Sequence, residues 1–330
     1  MSDLYIEYKG VLFHNNTTTK EDLEFTENEF QVRDDDIYNI TYPKSGTTWM
    51  IEILSLIQKN GDPTWSNTVP NWERVPWIED SSVARRLQQS EEHPRLISSH
   101  IPKHIFMKSF HGSKAKVIYT IRNPKDAAVS LYYFSIMSTF YKHPESMNHF
   151  LKEFLTENMP YGSWFNHVKG WMGLLGKDNF MFHTYEDLQK DFRGSVIKIC
   201  RFLGKELDDE AVDSVVKNAS FKNMKQNNMA NYTLLPSGFL DQEISPFMRK
   251  EKLCLFFLEL PGFMPLNKAC RENTVPEPTS GSGRERRLTI VHKWMVHMYK
   301  RRSLRFDIDC GVQVVNIYSH KLALWGNLFE

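Results

Sequence analysis

The sequence predicts an α/β fold in which helices flank a central parallel sheet. Three short apolar runs, residues 37–42, 116–121 and 180–184, have the continuous apolar character of strands that are buried on both faces. Each run is followed by a turn signal and then by a helical pattern. Repeated strand-turn-helix units form a doubly wound sheet, and such sheets gather ligands at the carboxyl ends of their strands.

Each predicted strand leads into a helix whose start can be read from the sequence. Helices are expected after Gly46, after Pro124 and after Tyr185. Proline suits the first turn of a helix, and acidic residues in the first turns of the second and third helices interact favourably with the helix dipole. A further strand is expected at residues 95–99, directly before His100.

The charge balance argues against a surface that coats a polyanion. The 330 residues carry 41 Lys and Arg against 40 Asp and Glu, a formal net charge of +1. We therefore expect no nucleic-acid partner, and any anion site must arise from a local arrangement of residues.

Several features predict a cytoplasmic protein. The N-terminal residues carry charges and lack the apolar stretch of a signal peptide. No stretch reaches the roughly 18 uninterrupted apolar residues of a membrane helix, so no membrane span is expected. The cysteines are far apart and form no C-x-x-C pair, which argues against a zinc site or a disulfide framework: Cys200, Cys254, Cys270 and Cys310.

The turn after the first predicted strand, Pro-Lys-Ser-Gly-Thr-Thr, has the composition of an anion site. It places backbone N–H groups, hydroxyls and one ammonium at the positive end of a helix dipole. Gly46 lets the backbone approach an anion closely, and Lys44 supplies a mobile charge. The Walker A pattern is not met because the lysine precedes the glycine, which disfavours a Mg²⁺-dependent NTPase. An ordinary strand-helix turn is the alternative.

The second predicted strand ends in a similar arrangement. Arg122 stands at its tip and Ser130 follows on the next helix. A guanidinium and a hydroxyl can bind one phosphate from two sides. The alternative is a capped helix with a solvated arginine.

These two motifs, YPKSGTTW and IRNPKDAAVSLYYF, resemble those of the cytosolic sulfotransferases. The resemblance extends over about residues 7–250, and segments such as NWERVPWIE and LISSHIPKHIF are most similar to the hydroxysteroid (alcohol) branch. It implies a P-loop-like sulfotransferase fold and 3′-phosphoadenosine 5′-phosphosulfate (PAPS) as co-substrate, with no metal ion. It also implies sulfuryl transfer to a hydroxyl of a small hydrophobic acceptor, such as a steroid, a bile-acid-like compound or another alcohol or phenol.

The resemblance implies a donor-binding role for three groups of residues. The 5′ end and the adenine would be bound by Lys44, Ser45, Gly46, Thr47, Thr48 and Trp49. The 3′-phosphate would be bound by Arg122 and Ser130, and the adenine would also be contacted by Tyr185, Phe221 and Met224. Ala219 departs from the family pattern, which has serine or threonine there.

His100 and Lys44 are the candidate catalytic residues. His100 is expected at a strand end, where an imidazole can take a proton from a hydroxyl, although a structural histidine is the alternative. The resemblance implies that this S-H-x-P histidine is the general base. Lys44 would stabilise the negative charge on the leaving oxygen, and Ser130 would hold Lys44 away from that oxygen in the resting complex.

Four aromatic residues lie in segments that should border the acceptor pocket. Large flat rings suit a steroid or another hydrophobic alcohol, with core packing as the alternative. These residues are Trp72, Trp77, Tyr133 and Phe134.

The resemblance stops abruptly near residue 250. The third donor-binding motif of the family begins with Phe247, Met248, Arg249 and Lys250, but Glu251 stands where a glycine is expected, and glutamate repels a phosphate. We expect a sulfotransferase domain over residues 1–250 and a divergent, solvated or poorly folded segment over residues 251–330. A basic amphipathic helix at residues 292–306 is the alternative for part of that segment. The family's dimer segment is not recognisable, so a homodimer stays open.

Three functions follow from these observations. The first is a sulfotransferase whose activity the altered C-terminus reduces. The second is a catalytically impaired nucleotide- or ligand-binding relative. The third, and weakest, is a P-loop kinase that uses ATP.

Overall fold

The structure, a computed structural model, describes residues 4–156, 158–236 and 238–249. The predictions made for Lys250, for Glu251 and for residues 251–330 lie outside the described residues. Three of the four cysteines also lie outside them, and Cys200 is a buried free thiol.

The chain begins with a hairpin that the sequence analysis missed. Strands β1 (Tyr5–Tyr8) and β2 (Val11–His14) pair antiparallel, with Tyr8 opposite Val11. The turn between them uses Lys9 and Gly10, both with positive φ, as a two-residue hairpin of the primed type requires.

The central sheet is parallel, as predicted. Its strands are β3 (Ile37–Thr41), β4 (Leu96–Ser99), β5 (Lys116–Ile121) and β6 (Phe180–Thr184), in the order β4-β3-β5-β6. The order changes direction at β3, because β4 and β5 pair on its two sides. In doubly wound sheets, such a point opens a crevice at the carboxyl ends of the strands.

Helices cover the sheet and account for the continuous apolar pattern of its strands, since every residue of β3 and all but Lys116 in β5 are buried. The helices of the described part are α1 (Lys20–Asn28), α2 (Thr47–Gln58), α3 (Thr64–Thr68), α4 (Asn71–Arg74), α5 (Val83–Gln89), α6 (Pro124–Met137), α7 (Met147–Leu155), α8 (Trp164–Met172), α9 (Tyr185–Lys190), α10 (Phe192–Leu203), α11 (Asp209–Asn218) and α12 (Phe221–Gln226). Short 3₁₀ turns occur at Lys103–Ile105 and Lys108–Phe110. Among these helices, none is both long enough and apolar enough to cross a bilayer.

A buried ion pair fixes the amino ends of the two strands that lead to the site. Arg95 donates from Nε and Nη2 to the two carboxylate oxygens of Asp36, at 2.7 and 2.6 Å, and both side chains are fully buried. The backbone N–H of Ile37, the first residue of β3, donates to the carbonyl of Arg95 at 3.0 Å. Strands β3 and β4 therefore start side by side, and their carboxyl ends deliver neighbouring loops.

Candidate active site

The turn between β3 and α2 forms a concave backbone surface. Lys44 has φ 64° and Gly46 has φ 110°, so two residues of this short turn have left-handed conformations. A Cβ atom at Gly46 would lie 2.8 Å from Cδ2 of Tyr185, closer than side chains tolerate. Only glycine fits this position, and successive turn N–H groups at a helix N-terminus suit an anion.

Hydroxyl groups in this turn differ in their accessibility. Ser45 and Thr47 are buried, and Thr47 Oγ1 lies 2.5 Å from Thr41 Oγ1. Ser45 Oγ is buried and has no hydrogen-bond partner within the described residues. Thr48 is partly exposed, and its side chain is hydrogen-bonded to that of Tyr232.

Arg122, at the tip of β5, is joined directly to the same turn. Its Nη1 donates to the backbone carbonyl of Lys44 at 2.9 Å, and its guanidinium carbon lies 4.4 Å from the ring centroid of Tyr185. The two candidate anion-binding residues therefore meet at one edge of the sheet. Ser130 lies two turns into α6 and is half-buried.

Aromatic and apolar side chains border the other side of the turn. Trp49 donates from Nε1 to the backbone carbonyl of Ala219 at 2.8 Å, and its ring packs edge-on against Tyr185. Phe221 begins α12 two residues after Ala219 and is half-buried, whereas Met224 is buried. The structure thus brings Trp49 close to Tyr185 and to the start of α12.

His100 follows β4 and faces the end of β3. Its Nδ1 lies 2.6 Å from the carbonyl oxygen of Thr41, so Nδ1 carries the proton and donates it. Nε2 is therefore left as a proton acceptor. Burial lowers the pKa of His100 to about 3, which keeps the imidazole neutral at physiological pH.

The backbone on both sides of this imidazole is held by buried polar groups that the sequence analysis did not find. The N–H of His100 donates to Oε1 of the buried Glu79 at 2.7 Å. The carbonyl of His100 accepts from Nε2 of His167 at 3.1 Å, and the hydroxyl of Tyr119 donates to Nδ1 of His167 at 2.8 Å. These residues come from three other parts of the chain, so no local sequence signal links them to His100.

The aromatic residues predicted for the acceptor pocket divide into two groups. Trp77 lies beside the candidate base, with its ring centroid 4.5 Å from that of His100, and Trp72 stacks on Tyr232. The other two contact cations. The ring centroid of Tyr133 lies 3.4 Å from the guanidinium carbon of Arg249, and that of Phe134 lies 4.3 Å from Nζ of Lys44. Their assignment to an acceptor pocket stays a prediction.

A second ring also contacts the candidate catalytic lysine. Nζ of Lys44 lies 4.3 Å from the ring centroid of Phe247, a residue of the third motif to which the sequence analysis gave no separate role. No group of three or more His, Cys, Asp or Glu side chains within residues 4–156, 158–236 and 238–249 is arranged to hold a metal ion.

Together, the sheet order, the anion-binding turn and the neighbouring imidazole define a group-transfer enzyme that binds an anionic co-substrate. The family model for the sulfotransferase domain matches residues 34–253, and the chain belongs to the sulfotransferase family. The protein is therefore an enzyme that transfers a sulfuryl group, as the resemblance implied.

Curated relatives agree with this assignment. Human sulfotransferase 2B1 is 52% identical over 246 residues, which are 74% of this chain and 67% of that protein. The guinea pig 3-beta-hydroxysteroid sulfotransferase is 47% identical over 250 residues, 76% of this chain and 86% of that protein. These relatives are named as sulfotransferases, so the catalytically impaired alternative receives no support from them.

Solved structures confirm the fold. Mouse sulfotransferase SULT7A1 complexed with PAP has a TM-score of 0.61 at 25% identity, covering 97% of this chain and 100% of that one. Retinol dehydratase in complex with androsterone and the inactive cofactor PAP has a TM-score of 0.66 at 20% identity, covering 92% and 91%.

Proposed function

We propose that this sulfotransferase moves the sulfuryl group of PAPS to a hydroxyl of a hydrophobic, steroid-like alcohol. One observation carries the proposal: Thr41 joins the candidate base to the anion-binding turn. Its carbonyl accepts the Nδ1 proton of His100, and its hydroxyl lies 2.5 Å from that of Thr47. An acceptor hydroxyl and an anionic donor bound there would lie at the end of the same strand.

The residues of the turn suit the doubly phosphorylated donor. Gly46 lets the turn backbone pass close to the ring of Tyr185, and the buried Ser45 hydroxyl can take a hydrogen-bond partner from the donor's 5′ end. Arg122 and Arg249 supply cations for the 3′-phosphate, while Trp49 and Tyr185 offer ring faces to the adenine. The two structural neighbours described above are PAP complexes, which supports the same donor here.

His100 acts as the general base in this proposal. The bond from Nδ1 to the carbonyl of Thr41 fixes the tautomer, so Nε2 accepts the proton of the acceptor hydroxyl. Because burial depresses its pKa, the imidazole is unprotonated and ready to accept at neutral pH.

Lys44 acts as the electrostatic catalyst. The donor supplies the sulfuryl group when bound, and negative charge then develops on the oxygen that leaves. The Lys44 ammonium and the N-terminus of α2 stabilise that charge from one side. No residue of the described site requires a metal ion for this role, and we expect a chelator to leave the rate unchanged.

The acceptor class rests on the curated relatives and on the tryptophan beside the base. A relative that is 47% identical is named a 3-beta-hydroxysteroid sulfotransferase. Trp77 packs against His100 and presents a flat apolar surface where an alcohol must approach. We therefore propose a fused-ring alcohol rather than a phenol or an amine.

Transfer of labelled sulfate from PAPS to steroid alcohols, phenols and amines tests the proposal. His100→Gln should lower kcat by about 10²- to 10⁴-fold, the range for losing a general base. His104→Gln is the matched control because His104 is an exposed histidine of the same segment. Equal rates for His100→Gln and for the control would contradict the assignment, and tight PAP binding without turnover in the wild type would favour an impaired relative.

We propose that residues 1–250 form the catalytic domain and that the altered sequence after Lys250 weakens donor binding. Replacing Glu251 with glycine and restoring a family-like tail should then increase PAP affinity, measured by calorimetry. An unchanged affinity would contradict this part of the proposal.

Cytoplasmic location and the oligomeric state stay predictions, for which cell fractionation and light scattering are the tests.

A further inference from the structure

Two aromatic rings from distant parts of the chain enclose the ammonium of Lys44. Phe134 belongs to α6, and Phe247 belongs to residues 238–249, which we call the strap. Nζ of Lys44 lies 4.3 Å from each ring centroid. The two rings are 6.2 Å apart and nearly perpendicular, at 77°, so they approach the ammonium from different directions.

Contacts that do not involve Lys44 hold the strap in place. The N–H of Asp241 donates to the carbonyl of Met137 at 2.6 Å, and the N–H of Thr139 donates to the carbonyl of Phe239 at 3.2 Å. The ring of Phe239 stacks on Phe140 at 5.6 Å. The strap is thus fixed to the chain at the C-terminal end of α6, and this fixes the position from which Phe247 reaches Lys44.

Phe247 also contacts Tyr232, which links it to the anion-binding turn. Its ring centroid lies 4.4 Å from that of Tyr232, whose side chain is hydrogen-bonded to Thr48 in the anion-binding turn. Two residues further along the strap, Arg249 packs on Tyr133, the neighbour of Phe134 in α6. Adjacent residues of α6 therefore contact the cations of both predicted phosphate sites.

We propose that Phe134 and Phe247 are positioning residues that fix the place of the Lys44 ammonium. Ring faces attract a cation but cannot neutralise it or accept its proton, unlike a carboxylate at the same place. The two rings, which approach from different directions, restrict the positions that the ammonium can adopt beside the anion-binding turn. This inference rests on the catalytic role of Lys44 proposed above.

Replacing Phe247 with leucine removes the ring but keeps apolar volume. We expect kcat to fall about tenfold, the size of one partly desolvated cation–π contact, while KM for the donor stays within about twofold. Phe247→Trp, which keeps a ring face, should retain most of the rate. The matched control is Phe202→Leu, because the ring of Phe202 in α10 lies 5.7 Å from Nζ of Lys116, at the amino end of β5 and away from the site.

A graded series separates the ring's electrostatics from its packing. Fluorinated phenylalanines incorporated at residue 247 keep the shape and withdraw electron density from the ring face. Log kcat should fall steadily with fluorine number at residue 247 and stay flat at residue 202. This series also covers the case in which Phe247→Leu fails to fold.

A second readout does not depend on turnover. The ε-methylene protons of Lys44 should be shifted upfield by the ring currents in the wild type, and Phe247→Leu should remove part of that shift. A flat fluorine series or an unshifted Lys44 signal would overturn the positioning role. Lys44→Met separates failure of the proposed function from failure of the positioning role. Full activity of Lys44→Met would refute the proposed function. An inactive Lys44→Met together with a fully active Phe247→Leu would refute only the positioning role.

Discussion

Thr41, the last residue of β3, contacts both His100 and Thr47, and it does so through two different atoms. Its carbonyl oxygen orients His100, and its hydroxyl contacts Thr47 at the start of α2. The contact between Thr41 and Thr47 is buried, and the one between Thr41 and His100 is partly buried. A sequence cannot reveal this coupling, because His100 and Thr41 are 59 residues apart.

Gly46 offers a prediction at the scale of one residue. Gly46→Ala forces an L residue to adopt φ 110° and pushes a methyl group to 2.8 Å from the ring of Tyr185. We expect a loss of about 1–3 kcal/mol in the free energy of unfolding from backbone strain. We also expect a loss of at least about tenfold in PAP affinity by calorimetry, because a cost of roughly 1.4 kcal/mol at the binding surface is already tenfold.

Gly112→Ala is the control for this prediction. Gly112 also has positive φ, at 91°, but a Cβ there would have no neighbour within 4 Å. Both variants should lose stability, and only Gly46→Ala should lose donor affinity. Equal affinities for the two variants would show that the surface at Gly46 is not the donor site.

Strands and helix starts were the elements best predicted from sequence. Residues 116–121 and 180–184 are strands β5 and β6, and the other two predicted strands differ from β3 and β4 by one residue. Strong local signals explain this success, since a buried parallel strand is apolar throughout and Gly or Pro punctuates the turns. The β1–β2 hairpin was missed because its Lys-Gly turn is a weaker signal than Asn-Gly.

The candidate site was predictable only where a family motif marks it. Arg122 donates to the backbone carbonyl of Lys44, so the two motifs meet, and the roles of these residues in donor binding stay predictions. Tyr232, His167 and Glu79 were missed because each contacts the site through residues remote in sequence. The contact of Phe247 with Lys44 was missed for the same reason, although its motif was recognised. No periodicity or spacing connects such contacts.

The ion pair at the amino ends of β3 and β4 gives a prediction at the scale of elements. Arg95→Met leaves Asp36 as an uncompensated buried charge, so the free energy of unfolding should fall by about 3–5 kcal/mol. Arg193→Met is the control because its partners, Asp209 and Asp213, are exposed, and it should leave stability nearly unchanged. Urea unfolding of the full chain measures both, and similar midpoints for the two variants would contradict the prediction.

The whole molecule should show a narrow range of pH in which it is most stable. Burial lowers the pKa of four histidines to about 3 or 4: His14, His100, His167 and His183. Below pH 6.5 the unfolded chain binds protons at these histidines that the folded protein does not bind. Each such group lowers the free energy of unfolding by about 1.4 kcal/mol per pH unit as the pH falls.

Two carboxyl groups with strongly raised pKa values, the buried Glu79 and the partly exposed Asp80, act in the opposite direction. The pKa values of Glu52 and Glu186 are also raised and act with the same sign. Burial raises the pKa of Glu79 to about 8 and that of Asp80 to about 7. As the pH rises above about 4.5, the unfolded chain releases these protons while the folded protein keeps them, so stability falls. The four histidines outweigh the two carboxyls below pH 6.5, and only the carboxyls contribute above it.

We therefore expect the highest Tm near pH 6.5 in thermal unfolding between pH 4.5 and 8.5. Glu79→Gln, which keeps the shape of the protonated acid, should reduce the fall in Tm between pH 6.5 and 8. The exposed Glu145→Gln should leave the profile unchanged. A profile that rises steadily to pH 8.5, or one that Glu79→Gln does not alter, would contradict this account.

The strand order has a consequence for how acceptor preference can diverge in this family. His100 and Lys44 follow β4 and β3, which are paired neighbours roughly 4.8 Å apart, and backbone hydrogen bonds fix that separation. Trp72 and Trp77 lie outside the sheet, in the chain between α3 and α5. In the function proposed above, mutations can therefore reshape the surface that meets a new alcohol while the proposed base and the proposed electrostatic catalyst stay on neighbouring strands. The acceptor preference can therefore change without any change in the residues proposed to carry out the transfer.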